Sequence, residues 1–119
     1  MLNDPYNLQH FIDAQGLMYD KALAELKAGK KRNHWMRYTF PQTAKVGMGS
    51  VAKRFAISGL TEAKAYWEHP ILGSRLCECM EAVQSHKGMS LLDIFGSELD
   101  VMKYKSCVQL FQKIETNNI

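Results

Sequence analysis

The sequence has no long apolar run, little proline and few cysteines, and each shortage removes a class of protein. No apolar stretch approaches the ~18 residues a membrane-spanning helix needs, so no membrane partner is expected. The opening segment MLNDPYNLQ lacks the basic start and following apolar run of a secretory leader, and the expected location is cytoplasmic. Three cysteines do not make a disulfide framework. Cys77 and Cys79 stand two apart, about 200° round a helix, so they cannot easily grip one ion. Reduced, mostly buried thiols are expected.

Charge of one sign is also scarce: 15 Lys and Arg against 12 Asp and Glu leave a formal net charge of +3. With no recognised nucleic-acid motif, nucleic acid is not the expected partner. The one dense basic run is KAGKKR, Lys27 to Arg32, which reads first as a solvated helix end complementing the helix dipole. There is no Walker A loop and no G-x-G-x-x-G. GMGS, Gly47 to Ser50, reads as a turn and cap rather than an anion loop. There is no H-E-x-x-H and no cysteine pair at zinc spacing, and His10, His34, His69 and His86 are scattered singly. Neither a metal nor a cofactor is expected. Without a G-x-S-x-G elbow, Ser58 and Ser106 read as hydrogen-bond partners rather than nucleophiles.

What is present is helical spacing. Asp4 and Pro5 form a helix start, and Leu8, Phe11, Ile12, Met18, Ala22, Leu23 and Leu26 follow on one face. Gly16 predicts a break near Gln15, and Gly29 a terminus. The bulky stretch NHWMRYTFPQ reads as a short helix or extended connector ended by Pro41, and TAKVGMG as a loop. Short helices capped by Ser50 and Thr61 follow, the second ended by Pro70. The next helix buries Leu72, Leu76, Met80 and Val83 and closes at Gly88. Ser90 with Asp93 and Ser97 with Asp100 predict two capping boxes, with Gly96 between them. No segment alternates with period two, and no repeat or low-complexity stretch occurs. The expectation is an all-α fold: one domain over residues 1–115 with about six or seven helices, several short, and a polar tail at 116–119. At this length a chain buries roughly 65% of its unfolded surface, enough for a core without staples.

Polar residues lodged in apolar segments are the candidates for a site. His34 and Gln42 flank the aromatic stretch, Arg54 and Ser58 surround FAI, His69 precedes Pro70, Arg75 follows ILGS, and Lys103 and Ser106 are one turn apart. Burying such groups without partners costs roughly 1–3 kcal/mol each, so they pair internally or line a pocket. Read as a pocket, Gln42, Arg54, Ser58, Arg75, Lys103 and Ser106 bind an anionic, phosphate- or nucleotide-like small molecule. His34 and His69 are the candidates for moving a proton, with Asp100 or Glu68 to orient one of them. The alternative is a non-catalytic protein- or RNA-interaction module using Lys27 to Arg32 and exposed aromatics such as Tyr38 or Trp67. In a third reading the charged residues are internal ion pairs.

The same positions carry a family resemblance. DPYNLQ (4–9), Gln15, ALAEL (22–26), HWM (34–36), FPQ (40–42), Arg54, Ile57 with Ser58, and AKAY (63–66) come first. HPILGSRL (69–76), IFGS (94–97), Asp100, Lys103, Ser106 and Leu110 with Phe111 follow in order. Together they resemble the DUF1810 family, over roughly residues 4 to 112. The resemblance implies a single-domain, mainly helical, Rv1873-like fold. It implies no activity and no catalytic residue. The chain departs from the family's pattern at Arg37, where a tryptophan is usual, at Thr39, where an aliphatic residue is usual, and in the loop after Gln42. His34 and Gln42 are expected to turn to a shared polar space while Trp35, Met36 and Phe40 fill the core.

Overall fold

The computed structural model describes residues 4, 6–16, 18–44 and 49–117. Its order is α1 (Gln9–Gly16), α2 (Tyr19–Ala28), α3 (Met36–Thr39), α4 (Ser50–Arg54), α5 (Leu60–Glu68), α6 (Leu72–Gln84), α7 (Leu91–Phe95) and α8 (Glu98–Asn117). Seven of these segments have five residues or more, and α3 is a single turn. Among the described residues there is no strand; an isolated parallel bridge joins Thr43 to Ile57. The Cα radius of gyration, 13.9 Å, is close to the ~13.5 Å of one globule of this length.

The break between α1 and α2 falls at Gly16, and Gly29 ends α2 at φ 80°. That left-handed geometry lets Gly29 N–H reach Leu26 O and Lys30 N–H reach Glu25 O, a Schellman closure. Gly96 also ends α7 at φ 80°, through the single bond from its N–H to Leu92 O (2.8 Å), and Ser90 with Asp93 makes the full capping box at its start. The box at Ser97 is only half formed. Asp100 N–H donates to Ser97 Oγ (3.2 Å), but the Asp100 carboxylate is drawn to Lys31.

Several helix boundaries differ from the sequence reading: Ser50, expected as a cap, is the first residue of α4, and α8 runs to Asn117, into the tail expected from residue 116. The helix expected from Asp4 begins at Gln9; Asp4 reaches across, accepting from Leu8 N–H (2.7 Å) and Gln9 N–H (3.0 Å). Those bonds hold its carboxyl below the usual range. Thr61 is not the cap of α5. Gly59 is, and Glu62 turns back to accept from Ser58 N–H (3.2 Å) and Oγ–H (2.8 Å). α6 ends at Gln84, four residues before Gly88, with Ser85 as its cap residue. Pro5, Lys45 to Met48 and the last residues of the tail lie outside the described residues.

The core is threaded by aromatic rings in two groups. Phe40, Phe95 and Tyr104 meet at centroid distances of 5.0–6.0 Å where α3, α7 and α8 converge. Phe11, Tyr66 and Phe111 meet at 5.2–5.6 Å between α1, α5 and α8. Trp35, Met36 and Phe40 are all buried, as expected. α5 and α6 approach so closely at Gly73 that an added Cβ would lie 2.0 Å from the Trp67 carbonyl oxygen. Only glycine permits that contact.

Candidate functional site

The site is built on the segment between α2 and α3, which one buried carboxylate holds in place. Glu25, 8% exposed on α2, accepts from Arg32 N–H (2.6 Å), Asn33 N–H (3.0 Å), Asn33 Nδ2–H (2.5 Å) and Trp35 Nε1–H (2.9 Å). Burial alone would raise its pKa; the four donors outweigh burial and hold it at about 2. Lys31 N–H donates to Ile94 O (2.7 Å), and Lys31 Nζ lies 3.0 Å from Asp100 Oδ2 and 5.5 Å from the Trp35 ring centre. Lys31 is thus an internal ion-pair partner, not part of a solvated helix end, and it ties this segment to α7 and α8.

Beyond that ion pair opens a cavity of about 330 Å³ between α3 and α8. Its polar lining is Lys31, His34, Arg37, Asp100 and Lys103, and Met36 and Tyr38 complete the wall. Asp100 balances Lys31, which leaves the charges of Arg37 and Lys103 uncompensated. Neither side chain has an ion pair or hydrogen bond among the described residues. Two unpaired cations beside a low-dielectric wall concentrate positive potential there. A group that accepts from both, with His34 as a third contact, would be held from several sides.

The other residues expected at a site lie elsewhere. Gln42 does not line the cavity: its Nε2 donates to Phe40 O (3.1 Å) and to the Lys103 carbonyl, bracing α3 against α8. Arg54 is exposed on α4, its guanidinium 5.7 Å from the Phe55 ring centre. Ser58 is taken up by Glu62. Ser106 is half-buried on α8 and lines none of the cavities described here. Arg75 belongs to a buried network: its Nη1 donates to Gln15 Oε1 (3.2 Å) and its guanidinium lies over Tyr19 (4.9 Å). Gln15, 2% exposed, in turn donates to Tyr38 O (2.6 Å) and Tyr66 Oη (3.1 Å). His69 Nδ1 accepts from Ile71 N–H (3.1 Å) and Leu72 N–H (3.3 Å), so this ring caps α6. The cavity therefore joins Lys103 and His34 and leaves out the other six.

His69 also borders a second cleft of about 590 Å³, whose charged wall is Glu68, Glu78 and Glu81. An adjoining hollow of about 290 Å³ shares Trp67, Cys77 and Glu81 and is floored by Met80, Val108 and Phe111. Tyr19 donates its hydroxyl proton to Glu78. Among the described residues no three His, Cys, Asp or Glu side chains are grouped to hold a metal ion. Burial pushes the Cys79 thiol up to about 12 and raises Cys107 well above its ordinary value, so neither supplies a thiolate nucleophile near neutral pH. No helix among the described residues is long and apolar enough to cross a membrane.

Arg37, where the chain departs from the family's pattern, is exposed and stands on the cavity wall. Lys31 as an ion-pair partner and Glu25 as an anchor were missed. The only local signal for Glu25 was a carboxylate beside Leu26 on an apolar helix face, with a tryptophan indole nearby in need of an acceptor.

Comparison with known proteins agrees with the architecture. The family model described as "Protein of unknown function (DUF1810)" matches residues 5–119. The crystal structure of the conserved hypothetical protein Rv1873 from Mycobacterium tuberculosis is similar, with 42% sequence identity and a TM-score of 0.89. That match covers 93% of this chain and 79% of the mycobacterial one. No curated protein matches.

Proposed function

The chain belongs to the DUF1810 family, and for this member we propose that the α3–α8 cavity binds an anionic, phosphate-bearing ligand. The observation that carries the reading is the convergence of Arg37 and Lys103, both unpaired, on one cavity of about 330 Å³ beside His34. That volume is at the lower end for ligand pockets. A phosphate group accepts from the guanidinium fork, the ammonium and the imidazole together, whereas a neutral ligand leaves both charges unmatched. Tyr38 and Met36 offer an apolar wall to whatever carries the phosphate. The reading is of binding; His34 is the group through which proton transfer would follow. The cytoplasm, where phosphate compounds abound, is the compartment this reading assumes.

A thermal-shift screen tests it, using inorganic phosphate, nucleotides, sugar phosphates and ADP-ribose-like compounds. A ligand at about a hundred times its Kd stabilises by roughly 2.7 kcal/mol, a rise of several degrees in Tm. The rise is expected for one class of phosphate compound and is expected to disappear in Arg37→Ala and Lys103→Ala. If no compound raises Tm, or if the variants respond like the native protein, the cavity is not the site.

A further inference from the structure

We propose that the phosphate is carried on a protein: the cavity takes a phosphorylated residue, and the adjoining surface of α8 takes an apolar side chain next to it in the same segment. The inference rests on the reading of the cavity given above. Leu99 and Met102 are 61% and 65% exposed, more than any other large apolar residue among those described. Each immediately precedes a cavity residue, Asp100 and Lys103. One step along a helix is a turn of 100°, and positions three apart share a face. The apolar pair therefore forms its own row, one step round the helix from the cavity's row. Leu92, 47% exposed, adds to the apolar surface on α7, which packs against α8.

The length of the row argues for a ligand with one charged and one apolar part. It stops at Met102; its continuation is Ser106, Gln109 and Lys113, which are polar. A seam between two copies needs apolar residues sustained along the helix. A phosphate compound without an apolar flank leaves the row uncovered. An anionic bilayer would cover it, but a bilayer is a plane of negative charge, and Glu98 and Asp93 are exposed carboxylates on the same two helices. A peptide follows a narrow track and need not meet them. Its phosphate, near −2 at neutral pH, complements Arg37 and Lys103, and exposed Lys30 and Arg32 flank Lys31 where that segment meets α7. Recognition of a phosphorylated residue by a cationic cluster, with a neighbouring side chain setting specificity, is an established mode of peptide binding.

The test is a degenerate nonapeptide library with a fixed central phosphoserine, phosphothreonine or phosphotyrosine, beside its unphosphorylated twin. The native chain is compared with the double variants Leu99→Ser with Met102→Ser and Arg37→Ala with Lys103→Ala. Inorganic phosphate and anionic phospholipid vesicles run alongside. Expected are retention of one phosphorylated library only, enrichment of Leu, Ile, Met or Phe at a flanking position, and loss of all retention in the Arg37/Lys103 variant. The Leu99/Met102 variant should bind selected peptides roughly tenfold more weakly, lose the apolar preference and hold inorganic phosphate as before. Equal binding of both libraries, absence of apolar selection, or indifference to Leu99→Ser with Met102→Ser overturns the proposal. So does vesicle binding, or concentration-dependent self-association, that the Leu99/Met102 variant abolishes. Binding of inorganic phosphate, or of a nucleotide or sugar phosphate in the thermal-shift screen, without any peptide sinks this inference and leaves the cavity reading standing; binding of none of them sinks both.

Discussion

At the α5–α6 corner His69 caps α6 through Nδ1, Gly73 presses against the Trp67 carbonyl, and Arg75 donates to buried Gln15. At the α3–α8 cavity His34, Arg37 and Lys103 bring a similar set of side chains, and none of the three is bonded to a described group. Both regions sit in stretches the sequence reading singled out, HPILGSRL and HWMRYTFPQ. The corner uses up its polar groups to fix two helices; the cavity is braced by Glu25 and Gln42 behind it and by the Lys31–Asp100 pair in its wall. An unexpected polar residue in an apolar segment thus marks either a structural commitment or a site. The deciding evidence is whether its hydrogen-bonding capacity is already taken.

The largest effect expected from breaking the corner is that of Gly73→Ala. The new Cβ would lie 2.0 Å from backbone oxygen, so α5 and α6 must part. The cost should be about 3 kcal/mol, the upper end for overpacking, and Tm should fall by roughly 10 °C or more. Gly88→Ala, with nothing within 4 Å of its Cβ, should stay within about 0.5 kcal/mol of native. Similar losses in both variants would mean that α5 and α6 are not locked together at Gly73.

Behind the cavity, Glu25→Gln should rank next. The amide offers one acceptor oxygen where the carboxylate offers two, and its NH₂ confronts donors. A carboxyl held at about 2 against an ordinary 4.5 corresponds to roughly 3 kcal/mol of stability. Because the folded pKa is the lower one, that contribution is complete above about pH 4.5 and drains away as the pH falls toward 2. Native protein should therefore lose roughly 3 kcal/mol more than Glu25→Gln between pH 7 and pH 2, measured by urea unfolding at each pH. Parallel curves for the two proteins would show that Glu25 is not the anchor of residues 30–35.

The break at Gly16, the left-handed ends at Gly29 and Gly96 and the box at Ser90 were legible because each is decided within a few residues by backbone sterics or one local bond. Helix starts were less so. Asp4 caps from five residues away, and Glu62 supplants Thr61 by reaching backward. The site was legible only in part. His34 and Lys103 were named, but Arg54 and Arg75 carry the same kind of charge, and neither they nor Ser58 has a place in the cavity. Nothing local separates Arg75 from Arg37. The difference is that Gln15, 60 positions away, presents an acceptor to one and not to the other. Asp100 was expected to complete a box with Ser97, and its carboxylate goes instead to Lys31. Long-range pairing of this kind leaves no periodicity to read.

That difference between arginines gives the finest test of the comparison. Arg75→Ala leaves the Gln15 oxygen, in a residue only 2% exposed, without its donor and strips the cover from Tyr19. An orphaned buried acceptor costs about 1–3 kcal/mol, and about 1–2 kcal/mol is expected because Gln15 keeps its two other bonds. Arg37→Ala and Lys103→Ala orphan nothing. Each removes a cation with no described partner, so stability should stay within about 0.5 kcal/mol of native. Urea unfolding of the three variants at neutral pH and moderate salt reads the contrast directly. If Arg37→Ala or Lys103→Ala cost as much as Arg75→Ala, their charges serve the fold, and the cavity has no surplus for a ligand. If both are neutral, the protein keeps two cations on one cavity wall that its own stability does not require. Both charges are then free to meet an anion, as the proposed site requires.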